Sequence, residues 1–219
     1  CLAPALDAWW ELQQAYPDLL PPAHRADLEA GLKRLVERQV ADYGLGSLAQ
    51  RTDLCHPAYP NMDVHYVLIM ELAHRLWKDP RYLAERDGFL KILASAVYAR
   101  GAFCYIHTQN ECFVYHQLVV VYLARYWQLT GDARALELLR KTIPYYPYNV
   151  EPAGMPEYYT DACWKHYWGR GDMAGPAVIA ALFNDPLNRR VYEITSAVWG
   201  HERGHVGAIA ADLYKPVPS

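Results

Sequence analysis

The sequence predicts an all-α protein whose repeated helical hairpins form an (α/α) toroid or an incomplete toroid. Two observations lead to this fold class. Apolar side chains recur every three or four residues over most of the chain, which is the period of an α-helix. A helical hairpin also recurs 51 residues later, from His65 to His116, and such a repeat is typical of α-solenoids and closed α/α toroids.

The individual helices follow from the same spacing. Leu28, Leu32 and Leu35 share one face, and a proline pair before them and Gly44 after them mark the ends of an amphipathic helix. The sequence shows no alternating strand pattern and no Asn-Gly hairpin signal. Further helices are predicted over Asp63–Lys78, Pro80–Tyr98, Cys112–Leu129, Asp132–Ile143 and Pro186–Trp199.

The repeat extends through the turn of each hairpin. "HYVLIMELA" aligns with "HQLVVVYLA", and after a two-residue insertion "DPRYL" aligns with "DARAL". Asp79 and Asp132 therefore occupy positions where a helix N-cap is expected, and "DPLNR" at Asp185 is a weaker third copy. A ring of six such hairpins needs about 300 residues. The sequence thus predicts an incomplete toroid or a fragment of a larger chain.

Composition narrows the class of protein. With 219 residues and 53% hydrophobic side chains, the chain is predicted to form a single domain over residues 1–219. The net charge of -3 and the scattered basic residues argue against a nucleic-acid partner. No apolar run reaches the roughly 20 residues of a membrane span. The remainder of a larger chain or a homo-oligomer is a further expected partner.

The first residue and the cysteines bear on localisation. The five cysteines form no C-x-x-C pair, so neither a zinc knuckle nor a disulfide framework is predicted. The sequence opens on Cys1, which fits a lipid-modified N-terminus after signal cleavage, or a trimmed fragment. The first reading predicts a periplasmic or secreted protein.

Residues 144–175 interrupt the helical pattern. This segment has four prolines and is crowded with Tyr and Trp, so it is not one long helix. Two interpretations remain open: a folded loop over a functional site, or a plug that packs between hairpins.

Polar residues converge at the start of the helix that follows "YIHTQNEC". Asn110, Tyr115 and His116 lie near its N-terminal end, and the repeat gives His65 the position of His116 in the preceding hairpin. In a toroid, equivalent positions face one central cavity. These four residues and His107 are therefore predicted to surround one cleft.

Asn and His at a helix start, followed by "LARYWQLTGDARALELL", resemble the α/α-toroid polysaccharide lyases of the heparinase II/III-like and alginate lyase-like kind. The "EYYTDACWKHYW" segment also suits that group. The resemblance covers about Pro60 to Arg170 and does not include those families' own Asn-His signature. It implies β-elimination on a polysaccharide or oligosaccharide that contains uronic acid, with no cofactor.

The resemblance also suggests roles. Asn110 would neutralise the substrate carboxylate and His116 would remove the adjacent proton, with Tyr115 or His65 as substitutes. Either Tyr158 or Tyr159 would protonate the departing oxygen. His107 and five loop residues would bind substrate. In the loop, Lys165, His166 and Arg170 would hold carboxylates, and Trp164 and Trp168 would stack on sugars. His116→Ala is expected to abolish elimination and leave the fold intact.

Three alternatives remain. The string from His201 to His205 matches the H-E-x-x-H of zinc peptidases, but Gly200, Gly204 and Gly207 weaken a helix there, so no metal site is assigned. A glycoside hydrolase would need opposed carboxylates, for which the candidates are Glu111, Glu157 and Asp161. A helical-repeat module that binds glycan or protein would need only the aromatic side chains.

Overall fold

The computed structural model describes residues 2–50, 59–105, 110–156, 174–200 and 204–214. These ranges are mostly helical, so the all-α class is confirmed. The helices are α1 (Leu2–Ala15), α2 (Pro22–Tyr43), α3 (Leu45–Gln50), α4 (Pro60–Trp77), α5 (Arg81–Ser95), α6 (Phe113–Thr130), α7 (Ala133–Lys141), α8 (Tyr145–Asn149), α9 (Ala174–Phe183), α10 (Pro186–Trp199) and α11 (Gly204–Leu213). Two short antiparallel strands precede α6: β1 (Cys104–Tyr105) and β2 (Asn110–Glu111).

The helices form a buried layer and a more exposed layer. Three hairpins, α4/α5, α6/α7 and α9/α10, stand side by side, and their first helices pack against one another. In α4, 12 of 18 residues are buried, and in α6, 10 of 18, against 4 of 15 in α5. Helix α1 packs on α4, and α11 packs on α6 and α9. One core of buried side chains runs from Ala3 in α1 to Ala210 in α11.

Each hairpin turns in the same way. The residue directly after the first helix has a left-handed backbone in all three hairpins. Its φ is 57° at Lys78, 68° at Gly131 and 49° at Asn184. An aspartate comes next in all three turns. Because the turns are this short, the two helices of each hairpin run antiparallel. Near their starts, α4 and α6 share a cavity lined by Asn61 and Tyr115, and the Gly175 N–H of α9 donates to Gln117 Oε1 of α6, so the three helices begin at the same end of the molecule.

The three aspartates cap the second helices as the repeat predicts. Asp132 accepts from the Arg134 backbone N–H at 2.9 Å, and Asp185 accepts from that of Asn188 at 2.8 Å. Asp79 accepts from the Arg81 N–H at 2.9 Å. Each carboxylate satisfies an amide that the first helical turn leaves unpaired, which gives the second helix a defined start.

Asp132→Ala is expected to lower the free energy of unfolding by about 1–2 kcal/mol, because it removes this cap. It also removes the acceptor of the Tyr126 hydroxyl, which lies 2.6 Å from Asp132 Oδ2. Urea denaturation of the two proteins measures the difference. Asp18→Ala, at an exposed position, is the control and should be neutral. Equal stability of Asp132→Ala and the parent protein would contradict a capping role.

In the part of the chain that the structure describes, none of the helices combines the length and the hydropathy that crossing a membrane requires.

Candidate functional site

Polar side chains from four helices meet in the core. Asp7 and His65 are each the sixth residue of their helix, α1 and α4, and His205 is the second residue of α11. Helix α6 passes beside them and contributes Tyr122 from its middle. We call Asp7, His65, Tyr122 and His205 the central polar cluster.

The central polar cluster is a chain of direct contacts. The rings of His65 and Tyr122 meet edge to face with 4.2 Å between centroids. Tyr122 Oη lies 3.3 Å from His205 Nδ1, and His205 Nε2 lies 2.9 Å from Asp7 Oδ2. Because a carboxylate only accepts hydrogen bonds, Nε2 carries a proton and donates a hydrogen bond to Asp7, and Nδ1 faces the phenol oxygen. Tyr122, His205 and Asp7 thus form a hydrogen-bonded relay.

Burial sets the protonation states at one end of the cluster. Burial, together with the charge of His205, lowers the pKa of His65 to about 4, so its ring is neutral at pH 7. Burial and the negative charge of Asp7 raise the pKa of Tyr122 to about 12, so its hydroxyl keeps its proton. The neutral imidazole of His65, which can accept a proton, therefore contacts the ring of Tyr122, whose hydroxyl can donate one.

Arg125 keeps Asp7 ionised. Its guanidinium donates to both oxygens of Asp7 at 2.8–3.2 Å and also contacts Glu11. Burial acts to raise the pKa of Asp7, but the hydrogen bonds from His205 and Arg125 outweigh it and hold that pKa below its usual value. The ionised carboxylate in turn fixes the orientation of His205.

A pocket of about 280 Å³ lies beside the cluster, between α1, α6 and α11. Its volume is near the lower end of the ~300–1,000 Å³ that is typical of ligand pockets. The pocket is lined by the carboxylates of Asp7, Glu11 and Asp212 and by the side chains of Arg125 and His205. Because carboxylates outnumber cations, this pocket does not favour an anionic ligand.

His116 lies in the core and has no exposed edge. It is 1% exposed; its Nε2 donates to the Gly101 carbonyl at 3.0 Å, and its Nδ1 accepts from Tyr146 Oη at 3.3 Å. Its ring stacks on Tyr145 with 3.7 Å between centroids. Burial lowers the pKa of His116 to about 3, although its contact with the Gly101 carbonyl opposes the shift. These contacts give His116 a packing role and argue against its choice as the base.

The predicted meeting of His65 and His116 in one cavity is not found. His65 contacts Tyr122, whereas His116 contacts Tyr145 and Tyr146. The reason is a stagger between their helices. Asn61, the second residue of α4, lines the same small cavity as Val119, the seventh residue of α6. Positions that are equivalent in the repeat therefore lie at different depths.

Tyrosines cluster at the N-terminal end of α6. Tyr105 lies between Tyr115 and Tyr59, with ring centroids 4.9 Å and 5.6 Å away. The backbone of Asn110 pairs with that of Tyr105 in the short sheet. Asn61 lines the same cavity as Tyr105 and Tyr115, and His65 is one turn further along α4. Tyr115 and the Asn110 backbone therefore lie near the N-terminal end of α4, about one turn from His65.

Several predicted residues lie outside the described residues, so their predicted roles stay predictions. They are His107, Tyr158, Tyr159, Trp164, Lys165, His166, Trp168, Arg170 and His201, together with Glu157 and Asp161. Glu111, the remaining hydrolase candidate, is in β2 and is partly buried.

The described start of the 144–175 segment packs against the core. It begins with the short helix α8, where Tyr145 and Tyr146 are fully buried and contact His116. A Cβ atom at Gly175 would lie 1.8 Å from Tyr146 Oη, so a larger residue there would displace this tyrosine. The plug interpretation therefore fits residues 144–150.

Only the end of the H-E-x-x-H string lies in the described part of the chain. Gly204, the first residue of α11, has a φ of 73°, which lies outside the right-handed helical region. His201 and Glu202 lie outside the described residues, so the zinc-peptidase alternative stays a prediction. The described ranges do not contain three His, Cys, Asp or Glu side chains grouped to hold a metal.

Three residues of the site are absent from the sequence-based prediction: Asp7, Tyr122 and Arg125. Their signal is a polar side chain inside an otherwise apolar helix. Asp7 stands alone in "LAPALDAWW", and Tyr122 and Arg125 are three apart in the apolar core of α6. A buried carboxylate needs a partner, so such positions mark polar contacts between helices.

Comparison of the chain with protein-family models, with curated proteins and with solved structures found no match.

Proposed function

We propose that this protein is a polysaccharide lyase that cleaves a uronic-acid-containing polysaccharide by β-elimination. The central polar cluster carries the proposal, because it sets the neutral imidazole of His65 against the protonated phenol of Tyr122. The hairpins would form part of an (α/α) toroid with this cluster near its centre. Such an activity suits a periplasmic or secreted protein.

The two groups supply the proton transfers that β-elimination needs. His65 takes the proton from the carbon next to the uronate carboxylate, and the electrons of that bond form the C4–C5 double bond. The glycosidic C4–O bond breaks, and the departing oxygen takes the hydroxyl proton of Tyr122. A proton then passes from His65 to the Tyr122 oxygen, which restores both side chains. His205 orients the Tyr122 hydroxyl, since its Nδ1 faces the phenol oxygen and its Nε2 is held by Asp7.

Charge favours approach of the polymer from the N-terminal ends of the helices. His205 comes from the first turn of α11, where the helix dipole is positive, and Asp7 and His65 come from the second turns of α1 and α4. The pocket between α1, α6 and α11 is lined by three carboxylates and does not suit a polyanion. We therefore place the substrate carboxylate beside His65, where its charge would also raise the pKa of the imidazole and make it a stronger base.

The carboxylate needs further neutralisation, and the sequence offers Asn110 for this. Its backbone lies in the short sheet at the same end of the molecule. Tyr115 and Tyr105 would border the path of the sugar chain there, where aromatic rings can pack on sugar faces. The loop residues Lys165, His166 and Arg170 stay as proposed carboxylate-binding groups.

Incubation of the protein with a panel of acidic polysaccharides tests the proposal. We expect at least one polymer to give the ultraviolet absorbance of a C4–C5 unsaturated product. His65→Gln and Tyr122→Phe should each lower kcat by about 10²–10⁴-fold, since each removes one proton-transfer group. Both substitutions preserve much of the side-chain volume, so the fold should remain.

Two exposed positions supply matched controls. His24→Gln and Tyr148→Phe change the same residue types on the surface and should leave kcat unchanged. New reducing ends without the absorbance would favour a hydrolase. The absence of both signals across the panel would contradict the proposal, as would full activity in Tyr122→Phe.

A further inference from the structure

Helix α2 exposes apolar side chains on its outer side. Of its 22 residues, only Leu32 and Val36 are buried. Leu28 is 40% exposed and Leu35 is 53% exposed, although both are large and apolar. The other described elements therefore cover only a narrow stripe of this helix.

Buried Leu32 and its more exposed neighbours on α2 have the pattern of a helix-packing face. Leu28, Gly31, Leu32 and Leu35 follow the i, i+3, i+4, i+7 spacing that forms a seam along a helix. They line a groove over α2 together with Asp27, Arg34 and Arg38. A Cβ at Gly31 would have only Arg34 Nη2 nearby, at 3.8 Å, so the glycine leaves an open notch between the leucines. We call these seven residues the α2 face.

The charges on the α2 face are complementary to those of a second copy of the same helix. Asp27 lies toward the N-terminal end of the face, and Arg34 and Arg38 lie toward its C-terminal end. An antiparallel pair of α2 helices related by a two-fold axis between Gly31 and Leu32 would set Leu28 against Leu35 of the second copy. The same register brings Asp27 within reach of the two arginines of the second copy.

We propose that the α2 face is a homodimer interface in which the α2 helices of two copies pack antiparallel. In this register Gly31 lies opposite Leu32 of the second copy, and the notch that Gly31 leaves permits a close approach of the two axes. Because the two copies are related by a two-fold axis, every contact occurs twice. One set of ion pairs between Asp27 and the two arginines therefore lies at each end of the leucine seam. The central polar cluster is not part of this surface, and the proposal is independent of the proposed function.

Sedimentation analysis of the full chain over a range of concentrations tests this proposal. We expect a species of about twice the 25.1 kDa chain mass. Leu35→Glu should weaken association at least about tenfold, because two unpaired carboxylates would enter the seam. Leu187→Glu, at a leucine of α10 that is 62% exposed, is the matched control and should leave the dimer intact.

Charge substitutions test the register. Asp27→Arg should weaken the dimer, and adding Arg34→Asp and Arg38→Asp in the same chain should restore it. A monomeric parent protein at all concentrations would overturn the proposal. So would a dimer that Leu35→Glu leaves unchanged.

Discussion

His116→Ala is expected to lower the free energy of unfolding by about 3–5 kcal/mol, the range found for truncating a buried aromatic ring. The imidazole is 1% exposed and stacks on Tyr145, so its loss would leave a cavity. The Gly101 carbonyl would also lose the hydrogen bond that it accepts from Nε2. Urea denaturation followed by circular dichroism measures the difference.

The control for this prediction is His24→Ala, which removes an exposed imidazole and should be close to neutral. Any activity that His116→Ala loses should follow the fraction of folded protein. A change in unfolding free energy below about 1 kcal/mol would contradict the packing role. It would return His116 to the list of candidate bases.

The second large effect concerns the pH dependence that Asp63 gives to stability. Asp63 is fully buried, and its Oδ1 accepts from the Tyr43 hydroxyl at 2.6 Å. Among the described residues its Oδ2 has no hydrogen-bond partner. Burial raises the pKa of Asp63 from 3.8 to about 7, even though the Tyr43 hydrogen bond acts in the opposite direction. The folded protein therefore holds a proton that the unfolded chain releases.

The sign of the effect follows from proton linkage. Between pH 4 and pH 7 the unfolded state binds fewer protons at this site, so the contribution of Asp63 to stability falls as the pH rises. The separation of the two pKa values corresponds to about 4 kcal/mol. Asp63→Asn should thus gain stability relative to the parent protein between pH 5 and pH 8, by an amount on the order of 3 kcal/mol.

Buried histidines act in the opposite direction, so the difference between the two proteins is the quantity to measure. The pKa of His65 is lowered to about 4 and that of His116 to about 3, so their contributions to stability grow as the pH rises through the unfolded value of 6.5. Both are present in parent and variant and cancel in the difference. Asp18→Asn, at an exposed position, is the control. A pH-independent difference for Asp63→Asn would contradict the prediction.

The helical hairpins could be predicted because their signals are local. Hydrophobic spacing gives α4, α5, α6, α7 and α10 to within three residues at each end. The caps at Asp132 and Asp185 need only the residues that follow them. Helix α9 is not predicted from the sequence. Seven of its ten residues are buried, so it lacks the polar face whose alternation with apolar residues gives the helical period of about 3.6 residues.

The site could be predicted only in part because its contacts join distant parts of the chain. His65 is found from its place in the repeat, but its neighbour Tyr122 depends on the stagger between α4 and α6. His116 has the same place in the repeat, but Tyr145 and Tyr146 bury it. No local sequence pattern predicts these two contacts. Pairing Asp7 with His205 requires knowledge of how α1 and α11 pack on α6.

The contact between Asp7 and His205 joins positions 198 residues apart. Synthesis must therefore pass residue 205 before this pair can meet, and local hairpins will have formed long before. The relay through Tyr122 would be assembled among the last events of maturation. Newly made or clipped polypeptides would thus lack this relay until α11 has docked.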